Sequence, residues 1–128
     1  MRLLLDTHIA LWAMTESPRL PGRARSLISS ADAALLVSVV SLWEIGIKQG
    51  KGLSDFRADP GLVRSDLLQN GYTELDISGR HVLTVASMPP IHKDPFDRIL
   101  IAQAMIEGIL LLTANPVIAR YPGPIRKV

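Results

Sequence analysis

Three short stretches of this chain are apolar on both faces: Leu3-Leu4-Leu5, Leu35 to Val40, and Ile109 to Thr113. A strand with one wet face alternates apolar and polar residues. A strand covered on both faces reads as an unbroken apolar run, and such strands belong to parallel sheets flanked by helices. The segments between them carry helix punctuation. Thr7 to Met14 reads as a helix entered at Asp6, and a second follows the turn TESPRLPG, from Arg23 to about Ser30. Ser41 opens LWEIGIKQGKG, and the polar loop SDFRADPG leads to a helix from Leu62 to Gln69, stopped by Asn70-Gly71. Ser78 to Met88 reads as a helix ended by Pro89-Pro90, and Pro95 to Glu107 as another with Gly108 at its C-cap. YTELDI is read as a short strand, Asn115-Pro116 as the start of a short helix, and Pro124 to Val128 as an edge strand. The expected fold is a three-layer α/β/α sandwich around a mostly parallel sheet of four to five strands.

Residues 1–128 are read as one domain, with 48% apolar and 20% charged residues typical of a packed globule. The chain has no cysteine, which removes disulfide frameworks and thiolate metal sites. A formal charge of +2 permits nucleic-acid binding without arguing for it. The apolar stretch from Ala33 to Trp43 falls short of the roughly 18 residues a membrane span needs, and Asp6 interrupts the N-terminal leucines too early for a signal-peptide core. The expectation is a soluble cytoplasmic protein with no membrane partner.

In a parallel sheet every strand-to-helix junction lies on the carboxyl edge. Polar residues at those junctions therefore become neighbours: Asp6, Glu44 three residues after Ser41, Asp94 and Asp97 at the Pro95 helix, and Asn115. Each has a plain alternative reading. Asp6, Asp94 and Asn115 are good N-caps, Ser41 to Glu44 matches a capping box, and Glu44 can pair with Lys48 one turn on. Two features favour a site. Asp97 shares a stripe with Leu100, Ile101 and Ala104 on a helix that is apolar nearly all round apart from Gln103. Carboxylates gathered on one edge also repel, by about 4 kcal/mol for a pair about 4 Å apart at an effective dielectric of 20. A divalent cation reverses that sign. Oxygen ligands without cysteine or a histidine pair favour Mg²⁺ or Mn²⁺. Such clusters hold metal against phosphate oxygens, and no GxxxxGK[ST] loop is present to suggest a P-loop enzyme.

LLLDTHIALW, SLWEI, HKDPFDRILIAQA and LLLTANP, in that order, resemble the motifs of the PIN-domain ribonucleases, and most of all the VapC-like toxins of bacterial and archaeal toxin–antitoxin pairs. The resemblance runs from Arg2 to about Tyr121. It implies a parallel sheet between helices, with Mg²⁺ or Mn²⁺ held by the acids matching Asp6, Glu44 and Asp97. It further implies cleavage of RNA, a homodimer, and inhibition by a small VapB-like antitoxin. The family's third acid directly precedes a run like ILIAQA, which selects Asp97 and leaves Asp94 as a neighbour or cap. The fourth position, often aspartate in the family, is Asn115 here, which contributes no charge.

Thr7 and Thr113 are expected to hydrogen-bond the acids, and Lys93 and Arg98 to meet RNA phosphates unless they are simply solvated charges. Arg2, Arg120, Arg126 and Lys127 form a weaker basic rim. His8 and His92 are near the acids in sequence and read as surface or supporting groups rather than ligands. Trp12 and Trp43 read as core or interface anchors. Three rival readings stand beside this one. A receiver-like phosphoacceptor domain needs an acid pair after the first strand and a lysine after a late one, whereas the chain has Asp6-Thr7-His8 and LLLTANP. A D-x-D phosphatase fails at His8. A catalytically silent α/β binding module, with every acid a cap, is the third.

Overall fold

The computed structural model describes residues 1–52 and 58–128. Five parallel strands form one sheet: β1 (Arg2–Leu5), β2 (Ala34–Ser38), β3 (Thr73–Leu75), β4 (Leu110–Thr113) and β5 (Ile125–Lys127), in the order β3-β2-β1-β4-β5. The order fits the expected sandwich and places β1 at the centre. Successive strands step outward on one side through β2 and β3, then on the other through β4 and β5. The reversal falls between β1 and β4, where open parallel sheets form their ligand crevices. A receiver domain, by contrast, has the order 2-1-3-4-5.

Among the described residues six α-helices cover the sheet: α1 (Thr7–Met14), α2 (Gly22–Ile28), α3 (Val39–Gly50), α4 (Pro60–Gln69), α5 (Gly79–Ser87) and α6 (Pro95–Glu107). Alternate residues of β1 separate two cores. Leu3 and Leu5 pack with Ile9, Ala24, Val63 and Leu67 from α1, α2 and α4. Leu4 packs on the other face with Leu100, Ile101 and Ala104 of α6. Helix α3 supplies Val40 to one core and Ile45 to the other, so it bridges the layers at the carboxyl edge. That crossing carries Glu44 inward.

The bounds of α1 and α6 agree with the sequence reading, and Gly108 closes α6 in the left-handed conformation, at φ 65°. The start of α3 does not. The second strand stops at Ser38, whose side chain caps the helix by accepting from Val40 N–H at 3.1 Å. Val39 and Val40 suit a buried strand and a buried first turn equally, so apolar pattern could not mark the boundary. Ser41 is thus inside the helix, and the Ser41–Glu44 capping box does not exist. The expected helix at Asn115-Pro116 is a turn followed by one 3₁₀ turn, Ile118–Arg120. The first half of the loop read over SDFRADPG lies outside the described residues; of the second half, Asp59 is the cap of α4 and the helix already begins at Pro60. Among the described residues, no helix is long and apolar enough to cross a membrane.

Candidate metal centre

Asp6 leaves β1 and immediately caps α1. Its Oδ1 accepts from Ile9 N–H at 2.9 Å, while Thr113 Oγ1, at the end of β4, donates to Oδ2 at 2.6 Å. The expected cap is thus present at Oδ1 and the expected Thr113 hydrogen bond at Oδ2. The residue is 4% exposed. Burial pushes its carboxyl up to about 7 against the hydrogen bonds from Thr113 and Ile9, and the charges of Asp97 and Glu44 push the same way. Three acids from β1, α3 and α6 thus lie within one electrostatic field.

Glu44 is 2% exposed in the second turn of α3. Thr7 Oγ1 donates to its Oε1 at 2.6 Å and lies 3.0 Å from Ser41 Oγ. Lys48 Nζ donates to Oε2 at 2.5 Å and stands 3.8 Å from Asp94 Oδ2. The i,i+4 pair expected from sequence is present, but it is mostly buried and reaches a second acid on α6.

Asp94 is the cap of α6, with Oδ1 accepting from Phe96 and Asp97 N–H at 2.9 and 3.3 Å. Asp97, one turn in, lies against His92, whose Nε2 is 2.8 Å from Oδ2. Burial lifts the Asp97 carboxyl to about 6; the His92 hydrogen bond opposes this, and Asp94 and Glu44 add to it. Among the described residues, His92, Asp94 and Asp97 are the group whose ligand atoms all lie within 4.8 Å of one another. Asp6 and Glu44 stand outside that tightest set, because their oxygens are drawn to Thr113 and the α1 terminus, and to Thr7 and Lys48. They remain inside its field.

Asn115 caps the turn after β4, accepting at Oδ1 from Val117 N–H at 2.8 Å, and its own N–H donates to Thr113 Oγ1 at 3.0 Å. With Asp6, His8, Trp12 and Ala114 it lines a cavity of about 200 Å³ at the β1–β4 reversal. Trp12 also packs on the α1 core. Trp43 is not a core anchor: it is 54% exposed, with its ring edge-on to Phe96 at 5.0 Å.

Arg98 departs from its expected role. Its guanidinium donates to the carbonyls of Val85, Pro89 and His92 and to Tyr121 Oη, at 2.8–3.3 Å. Tyr121 Oη in turn accepts from His92 N–H at 2.8 Å. Arg98 is a clamp that fixes the loop carrying His92, and its donors are turned to protein carbonyls rather than phosphate. Lys93 stays exposed.

The donor set suits a hard divalent ion: carboxylate oxygens, one imidazole, and a buried acid whose ionisation burial and like charge oppose. His92 takes the supporting place expected of it, hydrogen-bonded to Asp97 from five residues before it, across the start of a capped helix.

A family model described as the PIN domain matches residues 3–124. No curated protein sequence matches the chain significantly. Among solved structures, VapBC2 from Rickettsia felis bound to a promoter DNA fragment has a TM-score of 0.70 at 17% identity, covering 99% of this chain and 98% of that one. DNA-bound VapBC from Salmonella typhimurium gives 0.67 at 17% identity, with the same coverage of each chain. Mycobacterium tuberculosis VapC20, described as a sarcin–ricin loop cleaving toxin, gives 0.64 at 12% identity, covering 94% and 96%.

Proposed function

Because the chain belongs to the PIN-domain family, we propose that it is a divalent-metal-dependent endoribonuclease acting as the toxin of a toxin–antitoxin pair. The observation that supports the reading is that buried Asp6 and Glu44 and half-buried Asp97 come from three separate elements into one electrostatic field, in which the charges of Asp97 and Glu44 oppose ionisation of Asp6. Asp6, Asp97 and Glu44 would hold Mg²⁺ or Mn²⁺, with Asp94 and His92 beside them. Such an ion would supply charge stabilisation at phosphate oxygens and an acidified water at neutral pH. The chain's own groups prepare the pocket for this. Thr113 and the α1 terminus fix the Asp6 carboxylate, Thr7 fixes Glu44, and His92 fixes Asp97. Asn115 borders the same cavity and adds no charge. Lys93, exposed at the mouth of the α6 loop, meets the RNA backbone.

The partners follow from the solved neighbours, which are toxin–antitoxin complexes. The reading is of a cytoplasmic homodimer whose RNA cleavage is silenced by a small VapB-like antitoxin. The test is cleavage of total cellular RNA by purified protein with Mg²⁺ or Mn²⁺, alongside Asp6→Asn and Asp97→Asn. Cleavage by the parent protein alone supports the reading; equal cleavage by all three overturns it. For the toxin role, expression arrests growth and a co-encoded small protein relieves the arrest. Unimpaired growth at high expression contradicts that role.

A further inference from the structure

The cavity at the β1–β4 reversal has a composition that metal binding alone does not use. Asp6, His8, Trp12, Ala114 and Asn115 enclose about 200 Å³. No lysine or arginine stands among these lining residues, and Asp6 repels anions, so the space does not suit a phosphate group. Its walls are rings. His8 and Trp12, one turn apart on α1, lie with centroids 5.6 Å apart and planes inclined at 48°. Both are half-buried, and Trp12 is steadied by packing against the core that α1 shares with α2 and α4. A partly exposed, fixed indole at the wall of a cavity is a stacking surface for a flat heterocycle.

Asn115 supplies the polar mark that such a surface needs for selectivity. Its Oδ1 accepts from Val117 N–H at 2.8 Å, which fixes the orientation of the amide. Among the described residues Nδ2 has no acceptor, so its N–H donors stay available to a ligand. An aspartate at this position, ionised at neutral pH, accepts only. The amide donates instead, and a donor selects a keto oxygen on a base edge and disfavours an amino group there.

We propose that this cavity is a nucleobase pocket: one base of single-stranded RNA stacks on Trp12 beside His8, and Asn115 Nδ2 reads its keto oxygen, favouring uracil or guanine over cytosine or adenine. The inference rests on the nuclease reading above. Because Asp6 borders the same cavity, the base held there belongs to a nucleotide next to the phosphate at the acids. Trp12 and Asn115 are binding residues that set where RNA is cut, and the acids set whether it is cut.

The chain has two tryptophans, so Trp43→Phe leaves Trp12 as the only indole reporter. Its fluorescence is followed in EDTA with uridine, cytidine and ribose, neutral probes that the acids do not repel. Uridine is expected to quench at about fivefold lower concentration than cytidine, and ribose not to quench. In this background Asn115→Leu should abolish the difference between the two nucleosides. Ala114→Leu, which fills the cavity from its wall, should abolish quenching by both. Cut sites mapped on total cellular RNA with Mn²⁺ should carry uracil or guanine at one fixed position beside the cut, a preference lost in Asn115→Leu. Equal quenching by uridine and ribose, equal quenching by the two nucleosides, or no quenching by either overturns the base pocket. The nuclease reading then still stands on Mn²⁺-dependent cleavage that Asp6→Asn abolishes. Quenching by uridine in a protein that cleaves no RNA supports the pocket and overturns the nuclease reading.

Discussion

Asp6 carries a stability cost that the metal-free protein should reveal. Its carboxyl is held near 7 instead of 3.8, chiefly by burial, which corresponds to about 4 kcal/mol against the ionised form. Because the folded state binds this proton more tightly than the unfolded state, the contribution is fully present below about pH 4 and is lost as pH rises through about 7. In Asp6→Asn the amide oxygen still caps α1, the buried charge is gone, and this titration disappears. In EDTA, the variant should therefore gain about 3 kcal/mol relative to the parent between pH 4.5 and 8. For a domain of this size that is a relative rise in Tm of about 10 °C. Urea or thermal melts at several pH values read the difference directly. Saturating Mn²⁺ at pH 8 should reverse the order, stabilising the parent and not the variant. A gap between the two proteins that is constant across this pH range would refute the reasoning, since it would mean Asp6 pays no penalty for its charge.

Three further outcomes are expected. Thr113→Val leaves Asp6 Oδ2 without its 2.6 Å donor; the fold should lose about 1–3 kcal/mol at pH 8 in urea melts, and the penalty should shrink towards pH 4.5 as the carboxyl protonates. Arg98→Met breaks the clamp on the Val85 to His92 segment, so stability should fall by about 2 kcal/mol while the salt dependence of RNA binding stays unchanged. Unchanged melts with weakened RNA binding would return Arg98 to a phosphate role. Lys93→Gln should leave stability within about 0.5 kcal/mol and weaken RNA binding at low salt, lowering the slope of log affinity against log salt by about 0.7.

The sheet was legible because burial on both faces leaves no polar residue in a strand, and Leu3–Leu5 and Ile109–Thr113 have none before the terminal threonine. The helices with strong caps, at Asp6 and at Asp94-Pro95, were equally plain. The α3 start was not, since a buried helix turn and a buried strand end share the same valines, and the cap that separates them, Ser38, interrupts an apolar run. At the site, the acids were found through topology: junctions on one edge must meet. Their supporting contacts were harder. Thr7 and Thr113 could be placed because they adjoin junctions, whereas the reach of Lys48 to Asp94 and the turning of Arg98 toward Val85 and Tyr121 depend on how α3 and α6 pack. Charge in a sequence shows that a side chain can bind phosphate, and packing decides whether its donors remain available.

The central claim is that separated carboxylates form one cation site, and anomalous scattering from crystals grown with Mn²⁺ tests it most directly. The account predicts a peak in contact with the Asp6, Glu44 and Asp97 carboxylates. A saturated crystal with no peak there, or with its ion bound away from Asp6, would contradict it.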